Sequence, residues 1–220
     1  YALGLGEPRP ISAVHGHGTG DLLDEVVAAL PEPAEEPAYP EDALRVAIIG
    51  RPNVGKSSIT NRFAGKNRSI VSDVAGTTRD ALDVVVEREG KRYRLVDTAG
   101  MRKRNLVHED VEYYSLVRGL RAIDEADVCL LVVDASEGVT EQDQKVAGLA
   151  IERGCALVIL LNKWDLVRTD EQREDVMMSV ARRMTFAPWA PVIRVSALTG
   201  RSLDKVWAVV DRVGAAHAGK

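Results

Sequence analysis

"GRPNVGKS", Gly50 to Ser57, decides how the rest of the chain is read. It fits G-x-x-x-x-G-K-[ST] with Gly50, Gly55, Lys56 and Ser57 in the fixed places. The apolar run "LRVAIIG" precedes it and helical text follows at once. In that strand-loop-helix setting, backbone N–H groups and the helix N-terminus wrap phosphates, Lys56 reaches the β- and γ-oxygens, and Ser57 ligates magnesium. A glycine turn that merely precedes a lysine would lack this context.

Working outward, strands alternate with helices. "ALDVVVERE" and "RYRLVDTAG" read as a hairpin turning at Glu89-Gly90. A helix from about Glu109, the run "ADVCLLVVDA", a helix from Glu141, "ALVILLNKW", a helix from Asp170, "PVIRVSA" and a closing helix follow. This pattern predicts an α/β three-layer P-loop NTPase fold, with a mostly parallel sheet and one antiparallel edge hairpin.

A phosphate loop alone does not choose the base. "DTAG", Asp97 to Gly100, ends a predicted strand, where Asp97 can hold magnesium through water and Gly100 lets an N–H approach a γ-phosphate. "NKWD", Asn162 to Asp165, follows another strand; a carboxylate at Asp165 accepts from guanine N1–H and the exocyclic amine, donors that adenine does not offer there. "SAL", Ser196 to Leu198, follows the next strand, and the Ala197 N–H is expected to donate to the guanine carbonyl. All lie at C-terminal strand ends, where such sheets bind ligands. The expected nucleotide-binding set is Gly50, Asn53, Val54, Gly55, Lys56, Ser57 and Ser58 on the phosphate side. On the base side it is Asn162, Lys163, Asp165, Ser196, Ala197 and Leu198.

Composition sets bounds. The chain has 220 residues, 45% hydrophobic and 28% charged, enough for one substantial core. "VCLLVV" and "ALVILL" fall far short of the ~20 apolar residues a bilayer-spanning helix needs, so no membrane partner is expected. Cys129 and Cys155 sit in or beside apolar runs, where thiols act as small hydrophobes in a reducing compartment, and the cytoplasm is expected. A formal charge of -4 gives no global reason to expect a nucleic acid, and DNA is not an expected partner. Residue 1 is Tyr and no signal-peptide pattern follows it, so the start is expected to be a cut inside a longer chain.

The chain resembles the translation-factor-related GTPases and, within them, the bacterial tandem-GTPase family called Der or EngA, specifically its second GTPase domain. The matching text is "GRPNVGKSS", "VSDVAGTTRD", "DTAGMRKR", "VEYYSLVRGLRAI", "EGVTEQD" and "NKWDLV", spread over Arg45 to Val213. The resemblance implies GTP and GDP as ligands, Mg2+ as cofactor and slow GTP hydrolysis by the isolated domain. It also implies a switch function on the large ribosomal subunit or its precursor. By the family pattern Thr78, rather than its neighbour Thr77, closes on magnesium and the γ-phosphate, so Lys56, Thr78 and Gly100 are the catalytic candidates.

The same resemblance explains a repetition. "PRPISAVHGHGTGDLLDEVVAAL", Pro8 to Leu30, reads like "PVIRVSALTGRSLDKVWAVVDRV", Pro191 to Val213: Ser-Ala after a β-type run, a glycine turn, then Leu-Asp-x-Val in a helix. Residues 1–30 are therefore expected to be the end of a first GTPase domain. Residues 31–43, whose segment "PEPAEEPAYPED" holds four prolines and five acids, are the expected linker, and residues 44–215 the second GTPase domain.

Where relatives such as Ras carry a catalytic glutamine after "DTAG", Met101 stands here, and a thioether cannot orient water. Two readings stand for Asn53: a ligand for an activating K+, by resemblance to potassium-activated GTPases, or a turn residue that tolerates unusual φ. Glu109 or Glu112 acting through a water chain competes with a plain solvated helix face. The basic cluster Met101 to Asn105 reads as a solvated loop or as a contact for RNA phosphates. Trp164, Trp189 and Trp207 read as packing residues. Two further classes stay open: a GTPase module of a tRNA-modification system, and a non-hydrolysing nucleotide-dependent interaction module.

Overall fold

A computed structural model describes residues 10–12, 14–30, 39–66, 83–96 and 119–219. The chain forms two compact units, Tyr1–Ala38 and Tyr39–Lys220.

In the first unit, α1 spans Thr19–Ala29, and none of its residues is buried. Leu23, Val26, Val27 and Leu30 are all largely exposed. Among the described residues of the expected β-type run, Ser12 forms an antiparallel bridge with His17.

The second unit is built on a six-stranded sheet. Its elements are β1 (Leu44–Ile49), α2 (Lys56–Lys66), β2 (Val84–Arg88), β3 (Lys91–Val96), β4 (Val128–Asp134), α3 (Glu141–Glu152), β5 (Ala156–Asn162), a 3-10 turn (Trp164–Leu166), α4 (Asp170–Arg183), β6 (Val192–Arg194) and α5 (Asp204–Ala218). Residues 119–125, just before β4, are also helical. Strand order is β2-β3-β1-β4-β5-β6. Only the β2–β3 pair is antiparallel, and Glu89-Gly90 makes its turn with φ of 52° and 76°, as two-residue hairpins require.

β4, "VCLLVVD", is buried at every position, because both faces of a central parallel strand are covered. Its alternate residues feed two cores. Cys129, Leu131 and Val133 pack with Ala147 and Ala150 of α3 and Val176 and Val180 of α4. Val128, Leu130 and Val132 pack with Ile59 and Phe63 of α2 and Val206, Trp207 and Val210 of α5. Each Val, Leu, Ile or Phe among them contributes roughly 1.5–3 kcal/mol by leaving water. The result is a rigid platform whose β1, β4 and β5 ends carry the loops of interest.

Both cysteines are free and buried. Cys155 Sγ donates to the carbonyls of Ile123 (3.2 Å) and Ala126 (3.3 Å), and its hydrogen bond to Cys129, together with burial, pushes the Cys129 thiol up. Trp207 stacks between Phe63 (centroids 4.6 Å) and Tyr93 (4.4 Å), and Trp164 is buried, as expected of packing residues. Trp189 departs from that expectation at 55% exposed. In the turn after α4 it is Ala187 and Ala190 that face the core.

Candidate nucleotide site

The phosphate loop leaves β1 at Gly50 and enters α2 at Lys56. Two glycines are demanded by close approach. A Cβ on Gly50 (φ 138°) would lie 2.4 Å from the Val132 carbonyl oxygen, and one on Gly55 (φ 102°) would lie 2.2 Å from the Asn162 amide nitrogen. Asn53, exposed, also takes a left-handed φ of 64°. The Lys56 ammonium folds back over the loop, donating to the Gly50 carbonyl at 2.6 Å and to the Arg51 carbonyl at 2.5 Å. A positive charge is thus held at a helix N-terminus, beside Ser57 in its first turn, and such an arrangement attracts phosphate.

Asn162 fastens the base-side loops to this one. Asn162, at the end of β5 and 1% exposed, donates from Nδ2 to the Val54 carbonyl (2.8 Å) and accepts at Oδ1 from the Ala197 N–H (2.9 Å). The Ala197 N–H, expected from the sequence to donate to the guanine carbonyl, bonds here to Asn162 Oδ1. A buried N–H takes the partner that is present. Ser196, fully buried, shapes the same loop by accepting at Oγ from the Thr199 N–H (3.1 Å).

Lys163 takes a left-handed φ of 59° and sends its ammonium to Asp134 Oδ2 at 2.5 Å. Burial works against charge on Asp134, but the bonds from Lys163 and from the Ser136 hydroxyl and N–H hold its carboxyl below the usual range. Asp165 then stands apart: its Oδ1 is buried and accepts no hydrogen bond. A buried, unpaired carboxylate oxygen is costly unless a ligand supplies donors. It lines an open cleft of about 430 Å³ together with Gly55, Ser58, Asn162, Lys163, Ala197 and Leu198. Of the expected set, Gly55 and Ser58 on the phosphate side and Asn162, Lys163, Asp165, Ala197 and Leu198 on the base side line this one cavity, while Gly50 lines another.

Sequence reasoning missed Arg62. One helical turn beyond Ser58 on the same face of α2, it donates from Nε to the Ala197 carbonyl (3.0 Å) and from Nη2 to the Leu198 carbonyl. The i, i+4 spacing from Ser58 was a visible signal; the carbonyl partners 135 and 136 residues away were not. Thr77, Thr78, Asp97, Gly100, Met101 to Asn105, Glu109 and Glu112 lie outside the described residues. Among the described residues, no group of three His, Cys, Asp or Glu side chains is placed to hold a metal ion. No described helix is long and apolar enough to cross a membrane.

The comparisons with known proteins agree with this geometry. The sequence profile described as "50S ribosome-binding GTPase" matches residues 45–163. GTPase Der of Heliobacterium modesticaldum is 57% identical over 214 residues, covering 97% of this chain and 48% of that protein. GTPase Der of Moorella thermoacetica is 53% identical, covering 98% of this chain and 49% of its own length. The chain therefore spans about half the length of the curated relatives it matches. Among solved structures, Era in complex with MgGDPNP and nucleotides 1506-1542 of 16S ribosomal RNA superposes with a TM-score of 0.58 at 25% identity. That superposition covers 78% of this chain and 57% of Era. With the profile matched over more than half its length, and with Der proteins aligned to nearly all of it, the chain belongs to the 50S ribosome-binding GTPase family, in its Der group.

Proposed function

We propose that the second unit binds GTP and GDP and hydrolyses GTP, acting in the cytoplasm as a conformational switch in assembly of the large ribosomal subunit. The observation that carries the reading is Asp165, which has a buried carboxylate oxygen without a hydrogen-bond partner and lines a cleft together with Gly55 and Ser58 of the phosphate-loop motif and the helix that follows it. The donor edge of guanine is the partner that such an acceptor lacks. Lys56 and the N-terminus of α2 meet the phosphates, and for phosphoryl transfer to water the protein's task is to position these groups and neutralise charge. Magnesium would be held by Ser57, Thr78 and, through water, Asp97, an all-oxygen set that suits this ion, and would neutralise phosphate charge.

The reading is tested by GDP and ADP titration, GTP turnover, and co-sedimentation with ribosomal subunits in GDP and in a non-hydrolysable GTP analogue. GDP binding without ADP binding, slow turnover, and large-subunit binding that depends on the nucleotide are expected. Equal affinity for ADP ends the guanine assignment, and subunit binding indifferent to the nucleotide ends the switch assignment.

Asn53 is assigned to an activating K+, and the left-handed φ at that position suggests a clean test. Asn53→Gly keeps the turn, since glycine adopts positive φ freely, but removes the amide. Turnover is expected to rise when Na+ is replaced by K+ at equal ionic strength, and Asn53→Gly is expected to abolish most of that rise. Potassium stimulation that survives Asn53→Gly leaves the residue a turn former only.

Residues 1–30 are assigned to the end of a first GTPase domain, residues 31–43 to the linker and residues 44–215 to the second domain. The apolar face of α1, exposed at Leu23, Val26 and Val27, supports this, because such a face belongs against a sheet. Deleting residues 1–38 is expected to leave one GDP bound per chain with unchanged affinity, measured by calorimetry. A large loss of affinity would show that the segment is part of the nucleotide-binding core.

A further inference from the structure

We propose that Arg51 and Asp143 are positioning residues, Arg51 at a variable position of the phosphate-loop motif and Asp143 outside it, that together clamp the loop. Arg51 occupies a place that G-x-x-x-x-G-K-[ST] leaves free. Its guanidinium forks, with Nε donating to Asp143 Oδ1 at 3.0 Å and Nη2 to Glu137 Oε2 at 3.0 Å. The three residues come from β1's exit, the loop after β4 and the first turn of α3. Asp143 is fully buried, Arg51 is 16% exposed at its side chain, and Glu137 is 56% exposed, so Asp143 is the anchor.

Asp143 is itself held by further hydrogen bonds. Its Oδ2 accepts from the Thr140 N–H (2.9 Å) and hydroxyl (2.8 Å), and its own N–H donates to Thr140 Oγ1, forming a capping box at the start of α3. Arg51 is therefore tied to a helix end fixed on the core, and two groups of the loop inherit that constraint. The Arg51 carbonyl receives the Lys56 ammonium at 2.5 Å, and the Gly50 carbonyl receives it at 2.6 Å. With the guanidinium clamped, the Lys56 charge is presented from a backbone that cannot drift, and a displacement of about 1 Å in such a group can cost on the order of 100-fold. The motif thus supplies the lysine, while the Arg51–Asp143 pair fixes the loop from which it reaches.

The inference rests on the reading that the chain binds GDP. Its test uses the 220-residue chain and a fluorescent GDP, with guanosine as a phosphate-free comparison. Arg51→Ala and Asp143→Asn are each expected to weaken GDP by about 10- to 100-fold. The double variant should be no worse than the worse single one, because both break the same link. Guanosine binding should be unaffected, a separation that mere destabilisation would not produce. If Arg51→Ala does not fold, Arg51→Lys keeps Asp143 paired but cannot fork to two acids, and a several-fold loss is expected. Full GDP affinity in a folded Asp143→Asn or Arg51→Lys chain, additive losses, or equal losses for guanosine would overturn the clamp. Failure of the unaltered chain to bind GDP would instead overturn the reading beneath it.

Discussion

Asp165→Asn is expected to turn a guanine site into a xanthine site. The carboxylate is proposed to accept from guanine N1–H and from the exocyclic amine, and its Oδ1 is buried with no partner in the protein. Charge-assisted hydrogen bonds contribute about 1.5–3 kcal/mol each, so losing two should weaken GDP on the order of 10²- to 10⁴-fold. The substituted amide sets an NH₂ against the guanine amine, donor against donor, while the xanthine carbonyl at the same ring position accepts it. XDP affinity should therefore rise as GDP affinity falls. Competition of GDP, XDP and ADP against a fluorescent nucleotide reads both changes at once. A variant that loses GDP without gaining XDP would mean that Asp165 shapes the loop and does not read the base.

The place of Asp165 was legible in the sequence because it is local: a four-residue motif after an apolar run puts it just past a strand end whatever the rest of the fold. The sheet was legible for a similar reason. "VCLLVV" and "ALVILL" can be fully buried only between two layers, and β4, and β5 from Leu157 on, are so buried. The hairpin at Glu89-Gly90 followed from turn chemistry alone. The missed features are those that join residues distant in sequence. Thr140 and Asp143 can be paired from spacing as a capping box, yet nothing in the text says that Asp143 also receives Arg51, 92 residues upstream. Arg62 reads as a surface helix residue until the Ala197 and Leu198 carbonyls are found at its tip. The Ala197 N–H was assigned to the base from its motif, but the choice between ligand and Asn162 depends on tertiary packing.

Asn162 is where the largest combined loss of binding and stability is expected. Its one amide satisfies a buried carbonyl of the phosphate loop and a buried N–H of the Ser196–Leu198 loop, and the Gly55 backbone packs close against it. Asn162→Ala leaves the Val54 carbonyl and the Ala197 N–H unpaired and opens a cavity between the loops. Each orphaned group costs roughly 1–3 kcal/mol. Thermal unfolding should drop clearly, and GDP should weaken by about 100-fold as the two halves of the cleft lose their common register. Asn162→Asp separates charge from shape. It keeps the acceptor for the Ala197 N–H but turns a carboxylate oxygen toward the Val54 carbonyl, so the new acid should have its pKa raised by burial and by that facing oxygen. A folded-state pKa above the unfolded value means that the relative stability of this variant is greatest below the unfolded pKa and is lost as pH rises through the folded one. Its unfolding midpoint relative to the unaltered chain should therefore fall as the pH is raised from 5 to 8, a range chosen to span roughly the values reached by buried carboxyls. The Asn162→Ala deficit should stay flat over the same range. A pH-independent deficit in both variants would mean that the Val54 carbonyl is not the group Asn162 holds, and the fastening of the phosphate loop to the base loop would have to run through Arg62 instead.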